Sequence, residues 1–341
     1  MSAESAGLPV PAAAGHDNAG HGGVIHDIGY RQYAGVRLGR AAIAATLARQ
    51  SFLTAYGFGR GGKAKVFPIL LFALMCVPAV VSIAALALNP KAGQLVGYDT
   101  YQSTLRQLVL LVFIALQAPA LVSGDLRYHT LPLYFSRPIS RADYPLAKLA
   151  GFFLACLALI EIPLLVLWAG TISEVHGASA VWHQTTAFGA GLLYGLAWAA
   201  LLAPIGLALA CMTGRRVFSI CAVAIPLFVT WVLAQVLSHI GLQTFQPVGR
   251  GQLPALASLA GLINPFTVMA GITDWFGSAP KVLYAPAGPG GPVGPGGPGR
   301  VRVEMLQLVG HFGPWYLAMY VLMLAAAAGA LLIRYRRVAV A

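Results

Sequence analysis

The sequence predicts an all-α integral membrane protein with six transmembrane helices, and three observations predict it. Only 9% of the 341 residues are charged while 58% are apolar, with a mean hydropathy of +0.74; soluble domains carry about a quarter charged residues. The apolar residues gather into six runs, roughly 66–88, 108–122, 149–168, 187–211, 217–237 and 316–333, each close to the roughly 20 helical residues that cross a hydrocarbon core of about 30 Å. The Lys and Arg residues collect between alternate runs.

That asymmetry gives the expected orientation. Segments on the side of the N-terminus hold Arg31, Arg37, Arg40, Arg49, Arg60, Lys63 and Lys65, then Arg127, Arg137, Arg141 and Lys148, then Arg215 and Arg216, then Arg334, Arg336 and Arg337. The other side holds Lys91, Arg106, Arg250, Lys281, Arg300 and Arg302, most of them in one long loop that counts for little. Both termini are therefore expected in the cytoplasm, with the chain in the cell membrane. The net charge of +12 then reads as topological bias, not as a nucleic-acid surface.

Residues 1–29 are rich in Ala, Gly and His and lack an apolar core, which predicts a disordered tail and not a signal peptide. His16, His21 and His26 recur in it without Cys or fixed geometry, so a solvated segment is expected instead of a metal site. Residues 30–65 carry Val36, Ile43 and Leu47 on one helical side, with Tyr33 at its margin and Arg31 and Arg49 opposite, as in a helix lying in the membrane interface. Arg40 falls near the apolar side and would have to snorkel. Arg60, Lys63 and Lys65 close the stretch as a basic cluster.

Between the second and third runs lies DLRYHTLPLYFSRPISRADYPLAK, from Asp125 to Lys148. Ser140 is a good N-cap, Asp143 stands where a capping-box partner would, and Ile139 and Tyr144 occupy the staple positions. A helix is expected to start at Ser140, bending where Pro145 removes a backbone donor. Pro138 disfavours helical geometry at Arg137, which separates this helix from a shorter one over 128–135.

These residues resemble the cytoplasmic loop after the second span in type-2 permeases of ATP-binding-cassette transporters. There an acidic residue leads through a Thr-Leu pair to a Pro-x-Ser-Arg turn and a Lys heading the third span. Here those positions read Asp125, Thr130-Leu131, Pro138-Ile139-Ser140-Arg141 and Lys148, with His129 where the family often has Gly. The resemblance implies a coupling helix that seats in a groove of a partner ATPase, using Asp125, Arg127, Thr130, Ser136, Arg137, Pro138, Ser140, Arg141 and Lys148. It implies that the helix within 30–65 is the family's elbow helix. Asn264-Pro265-Phe266 is similar to the start of the short outer-leaflet helices that precede the family's last span. The function implied is export of a substrate by alternating access. Its partners would be two copies of a separate ATPase, which binds ATP and Mg, and a second copy of this permease or a homologous one. No cofactor is expected on this chain.

The loop 238–312 is the longest. Its first half is apolar and interrupted, and its Gly/Pro stretch, 285–300, holds four Gly-Pro triplets, too few for a collagen helix and suited to a semi-extended, unpaired linker. Pro78, Pro119, Pro163, Pro204 and Pro226 fall in or near the first five runs, which membrane helices tolerate. Gly189, Gly191 and Gly195, and Ala325 to Ala330, permit close helix contact. Cys76, Cys156, Cys211 and Cys221 lie in apolar runs or at their ends and act there as small hydrophobes.

No phosphate loop is present: Gly59-Arg60-Gly61-Gly62-Lys63 has the wrong spacing and no following Ser or Thr. There is no H-E-x-x-H helix and no G-x-S-x-G elbow, so no catalytic residue is expected. Glu161 stands in the middle of the third run, at a cost on the order of 2–4 kcal/mol. Either it lines a translocation path with Gln117, or it is protonated or bonded to Gln117, Thr230 or a group freed by Pro163. The rival to an ATP-driven permease is a channel or transporter driven by an ion gradient, which would carry paired intramembrane charges or inverted repeats.

Overall fold

The computed structural model describes residues 35, 39–89, 98, 104–128, 130, 132, 134, 139–175, 177–243, 259–276, 281–286, 300–305 and 312–338. The N-terminal tail, Ser136, Arg137, Pro138 and the Gly-Pro triplets lie outside them.

Six helices among the described residues are long and apolar enough to cross a membrane, and the chain is an integral membrane protein. They are α2 (Lys63–Leu88), α3 (Thr104–Arg127), α4 (Asp143–Glu174), α5 (Ala178–Ala210), α6 (Arg216–Gln243) and α8 (Gly313–Val338), with α1 (Arg40–Ala55) and α7 (Pro265–Phe276) flanking them. The second span is longer than its apolar run of 108–122, because the lead-in from Thr104 is helical and brings Arg106 into the span. At 1.5 Å per residue α4 and α5 are each about 50 Å long, more than the roughly 30 Å of hydrocarbon. Both therefore project beyond it.

The helix α3 is the most enclosed span. Leu110, Phe113, Ile114 and Ala118 have no exposed surface, and α3 packs against α5, α6, α2 and α1. Against it, α4 lies along α1, α2 and α5. Pro78, Pro119, Pro163, Pro204 and Pro226 all sit inside continuous helices. The glycines Gly191 and Gly195 are used within the chain: a side chain there would meet Leu164 at Gly191, and Glu161 and Ile160 at Gly195.

The helix α1 lies on α4 so closely that any Cβ at Gly151 would meet the Ala48 carbonyl and the Ser51 side chain. Ser51 and Ala55 are buried in that contact, and Leu47, Phe52 and Tyr56 pack on the core. Tyr56 donates to the Ala155 carbonyl at 2.9 Å. A tight turn through Gly57, at φ +78°, leads to α2; a side chain there would strike the Ala64 backbone.

Three expectations change. Ser140 and Asp143 do pair as a cap, but the regular α4 helix begins only at Asp143, so Pro145 falls in its first turn, where the missing N–H costs no intrahelical bond. The reason for a bend disappears. The chain is also not wholly α-helical: Lys281–Pro286 (β1) and Arg300–Met305 (β2) form an antiparallel pair, Lys281 opposite Met305 and Pro286 opposite Arg300. The ends of the 285–300 linker are thus paired strands. Finally, Arg40 pairs with Asp143 instead of snorkelling.

Between α6 and α8 a 3-10 turn, Ala260–Ile263, precedes α7. Asn264, wholly buried, donates to the Leu227 carbonyl at 2.9 Å and to Thr230 at 2.7 Å, midway along α6. Its side chain also accepts from the Phe266 N–H at 2.8 Å. This segment therefore enters the bundle, and Gly261 and Gly271 make room for the Tyr316 ring of α8.

Gly151→Val is expected to force α1 off α4 and lower stability by about 1–3 kcal/mol, the usual range for overpacking. Gly189→Ala, where an added Cβ meets nothing within 4 Å, is the matched near-neutral change. Thermal unfolding in detergent, followed by intrinsic fluorescence, reads both; equal melting points would show that α1 is not seated there.

Candidate functional site

One end of the bundle gathers the starts of α2, α4 and α6 and the ends of α3, α5 and α8. The Arg60 side chain donates to the Ala120 carbonyl of α3 at 3.0 Å, Arg334 of α8 donates to Cys211 after α5 at 3.3 Å, and Gly214, in the turn before α6, lies against the Arg127 backbone. The lysines and arginines of all these segments make it the basic end.

The segment joining α3 to α4 is braced there by two clusters. In the first, Asp125 near the end of α3 receives Lys148 at 2.9 Å and the Tyr144 hydroxyl, both from α4. Lys148 also donates to the Leu121 carbonyl at 2.9 Å and lies over the Tyr144 ring, 5.6 Å from its centroid. Tyr144 has no exposed surface; its ring lies 5.1 Å from Tyr134 and 5.3 Å from Tyr335 of α8. Thr130 closes onto Asp125 through its N–H at 3.2 Å and its hydroxyl at 3.4 Å.

In the second cluster Ser140 and Asp143 form the reciprocal bonds of a capping box. The Ser140 N–H donates to Asp143 at 2.9 Å, and the Asp143 N–H donates to the Ser140 hydroxyl at 3.3 Å. Arg40 of α1 grips both, donating to Ser140 at 2.8 Å and forming a two-pronged pair with Asp143. Hydrogen bonding to this carboxylate holds the Arg40 guanidinium above its usual pKa.

Of the residues singled out in the sequence, then, Asp125, Thr130 and Lys148 form one cluster and Ser140 belongs to the other. Arg127 and Arg141 are exposed, Arg127 lying 5.5 Å from the Tyr128 ring. Ser136, Arg137 and Pro138 fall outside the described residues; Pro132 and Tyr134 are helical. Sequence reasoning missed the roles of Arg40 and Tyr335. An arginine on the wrong face of an amphipathic helix is the signal for the first, and a tyrosine amid the closing arginines of α8 the only one for the second.

A second polar locus lies inside the spans. Both carboxylate oxygens of Glu161 are buried without a hydrogen-bond partner, pressed against Gly195. Neither Gln117 nor Thr230 reaches them: Gln117 is buried elsewhere on α3, and Thr230 bonds the Pro226 carbonyl at 2.6 Å and Asn264. The opposite charge acting on Glu161 is Arg106. Its guanidinium lies 5.7 Å from the Trp198 ring, which in turn lies 5.8 Å from Phe266 at the head of α7. Next to Arg106, Gln107 accepts from the Trp231 indole at 2.8 Å. Glu161 and Arg106 are thus ionisable groups of opposite sign within the spans. Among the described residues no three His, Cys, Asp or Glu side chains gather to hold a metal.

Compared with known families and with curated proteins, the chain matches no family model and no curated sequence. The fold and the charge pattern establish a multi-pass, six-span membrane protein whose polar groups concentrate at the basic end and around Glu161.

Asp125→Asn or Lys148→Met should each cost about 2–3 kcal/mol, less than the full penalty for breaking a buried pair because Asp125 keeps some contact with solvent. The double variant should lose less than the sum. Denaturation midpoints of the four proteins in detergent give the coupling directly; strict additivity would mean that the two groups do not interact.

Proposed function

We propose that this chain is the membrane subunit of an ATP-driven transporter of the type-2 permease class, exporting its substrate by alternating access. The observation that carries this reading is the bracing of the α3–α4 segment. Asp125, Tyr144 and Lys148 tie the two spans together, Tyr335 adds α8, and Arg40 adds α1. A segment held in that way transmits force: pushed from the aqueous side, it moves four helices and not merely itself. A connecting loop with no mechanical role needs only caps and solvation.

In this reading the basic end faces the cytoplasm, as the positive-inside rule prefers, and the α3–α4 segment is the coupling element. The exposed Arg141 meets a separate ATPase, present in two copies, which binds ATP and Mg and carries out hydrolysis. This chain carries no catalytic step. The helix α1 is the interfacial elbow, and its seat on α4 passes tilting of the elbow to the third span. The buried turn and α7 are the short helices that close the opposite leaflet. Six spans with one coupling segment make half of a pore, so a second copy or a homologous permease completes it.

A second reading has one observation in its favour. Arg106 and Glu161 place opposite charges within two neighbouring spans, the arrangement that transporters driven by ion gradients use.

Three experiments separate these readings. A single Cys at position 141 in a chain whose four cysteines are replaced should react with a membrane-impermeant maleimide in inverted vesicles and not in right-side-out ones. Arg141→Glu should in addition abolish co-purification of a phosphate-loop ATPase expressed alongside while leaving the melting point unchanged. Labelling from the outside, or no ATPase retained by the parent chain, would remove the ATP-driven reading. Glu161→Gln should leave folding intact. In vesicles without ATP it should abolish gradient-driven accumulation if the second reading holds; under the first, no such accumulation exists to lose.

A further inference from the structure

The basic end has more positive charge than it can neutralise. Among the carboxylates that the described residues bring to it, Asp125 is taken by Lys148 and Asp143 by Arg40. Arg60, Lys63, Lys65, Arg127, Arg215 and Arg216 have no carboxylate within ion-pair distance among the described residues. They are not dispersed. The half-buried Arg60 is anchored on α3, close enough to Arg216 for the two like charges to act on each other, and burial first and Arg216 second lower its pKa. Gly214, just before Arg215 and Arg216, lies against the Arg127 backbone.

Their place on the helices adds to the excess. Lys63 and Lys65 open α2, Arg216 opens α6, and neither helix has an acidic residue in its first turn. Helix starts carry the positive end of the macrodipole and favour anions, so these cations sit where a folded chain ordinarily avoids them. In the same turn, the Thr213 hydroxyl is buried without a partner. Directly beyond the charges the surface becomes apolar, with Val66, Phe67, Val217 and Phe218 exposed.

We propose that this cluster binds the headgroup of an anionic phospholipid, its phosphate held among Arg60, Arg127, Arg215 and Arg216 and its acyl chains lying along the opening turns of α2 and α6. Phosphate is the complementary chemistry: arginine forks match its oxygens, and basic clusters at the headgroup level attract anionic lipids. The adjoining apolar faces let the acyl chains of a bound lipid continue along α2 and α6, which a free anion cannot do. The site rests on the six-span fold and the charge distribution alone, and stands whichever motive force drives the protein.

The test uses the full chain purified in a non-ionic detergent, with its thermal unfolding followed during titration with dioctanoyl phosphatidylglycerol, dioctanoyl phosphatidylcholine or inorganic phosphate. Phosphatidylglycerol should raise the melting point saturably, and the other two should not. The pair R60Q/R216Q should weaken the apparent affinity roughly 30-fold, the factor expected for two charges at the headgroup level. Because Arg60 also holds the Ala120 carbonyl, K63Q/K65Q provides a second variant that leaves that bond intact and should shift the titration the same way. K281Q, on the hairpin strand β1, removes a charge from outside the cluster and should change nothing. Equal stabilisation by inorganic phosphate would assign the site to a soluble anion and overturn the lipid. Equal stabilisation by phosphatidylcholine, or an unshifted phosphatidylglycerol titration in both variant pairs, would overturn the site itself and leave the cluster as a face for an acidic protein partner.

Discussion

The ion pair between Lys148 and Asp125 is the constraint on which the arrangement of the basic end depends. Lys148 stands about one and a half turns into a membrane-spanning helix, where an unpaired ammonium would be costly. It is held by a carboxylate from the preceding span, a backbone carbonyl of that span and a tyrosine ring. Those three contacts fix the end of α3 against the start of α4 in one relative position. Once that is set, Tyr144 points into the bundle and meets Tyr335, and Asp143, one residue earlier, is presented to Arg40 on α1. The order of the sequence, Asp-Tyr at the helix start and Lys four residues after the Tyr, thus serves three neighbouring helices with about one and a half turns of α4.

The six spans were legible because a bilayer imposes length and polarity at once, and no other solvent asks for about 20 apolar residues in succession. The capping box was legible because it is local: Ser140 and Asp143 need only each other. What could not be read was every partner supplied from far along the chain. Arg40 could be identified as misplaced on its own helix, but nothing near it says that Asp143, some hundred residues on, would receive it. Arg106 stands in the polar lead-in to the second run, where it counts with the outer loop for charge although that lead-in can extend the span; the helix does extend back through it, its charge set against Glu161 and the Trp198 ring. The hairpin is hidden by composition. The alternation in RVRVEM is a strand signal, but the Gly and Pro before it favour an unpaired linker, and pairing with 281–286 is a non-local property.

The starting residue of α4 shows how a small boundary error changes a mechanical conclusion. From Ser140, Pro145 would lie in the second turn and cost a hydrogen bond, giving a flexible joint at the head of the span. From Asp143 it lies in the first turn and costs nothing. A joint and a rigid head behave oppositely under load, since a joint absorbs a push on the α3–α4 segment and a rigid head passes it on.

That rigidity connects the two polar loci. Thirteen residues separate Lys148 from Glu161, about 20 Å along one uninterrupted helix. Across that distance α4 is seated on α1 at Gly151 and on α5 at Gly195, both contacts so close that the glycine leaves no room for a side chain. At Gly151 sliding is resisted by the Ala48 backbone, whereas at Gly195 the opposing atoms are the Glu161 and Ile160 side chains, so there α4 can slide by a change of rotamer or lift away from α5. Lifting separates Glu161 from Gly195 and exposes two carboxylate oxygens that otherwise have no hydrogen-bond partner. In the ATP-driven reading, a push at the basic end that lifted α4 from α5 would reach the buried charge midway through the bundle along one continuous helix.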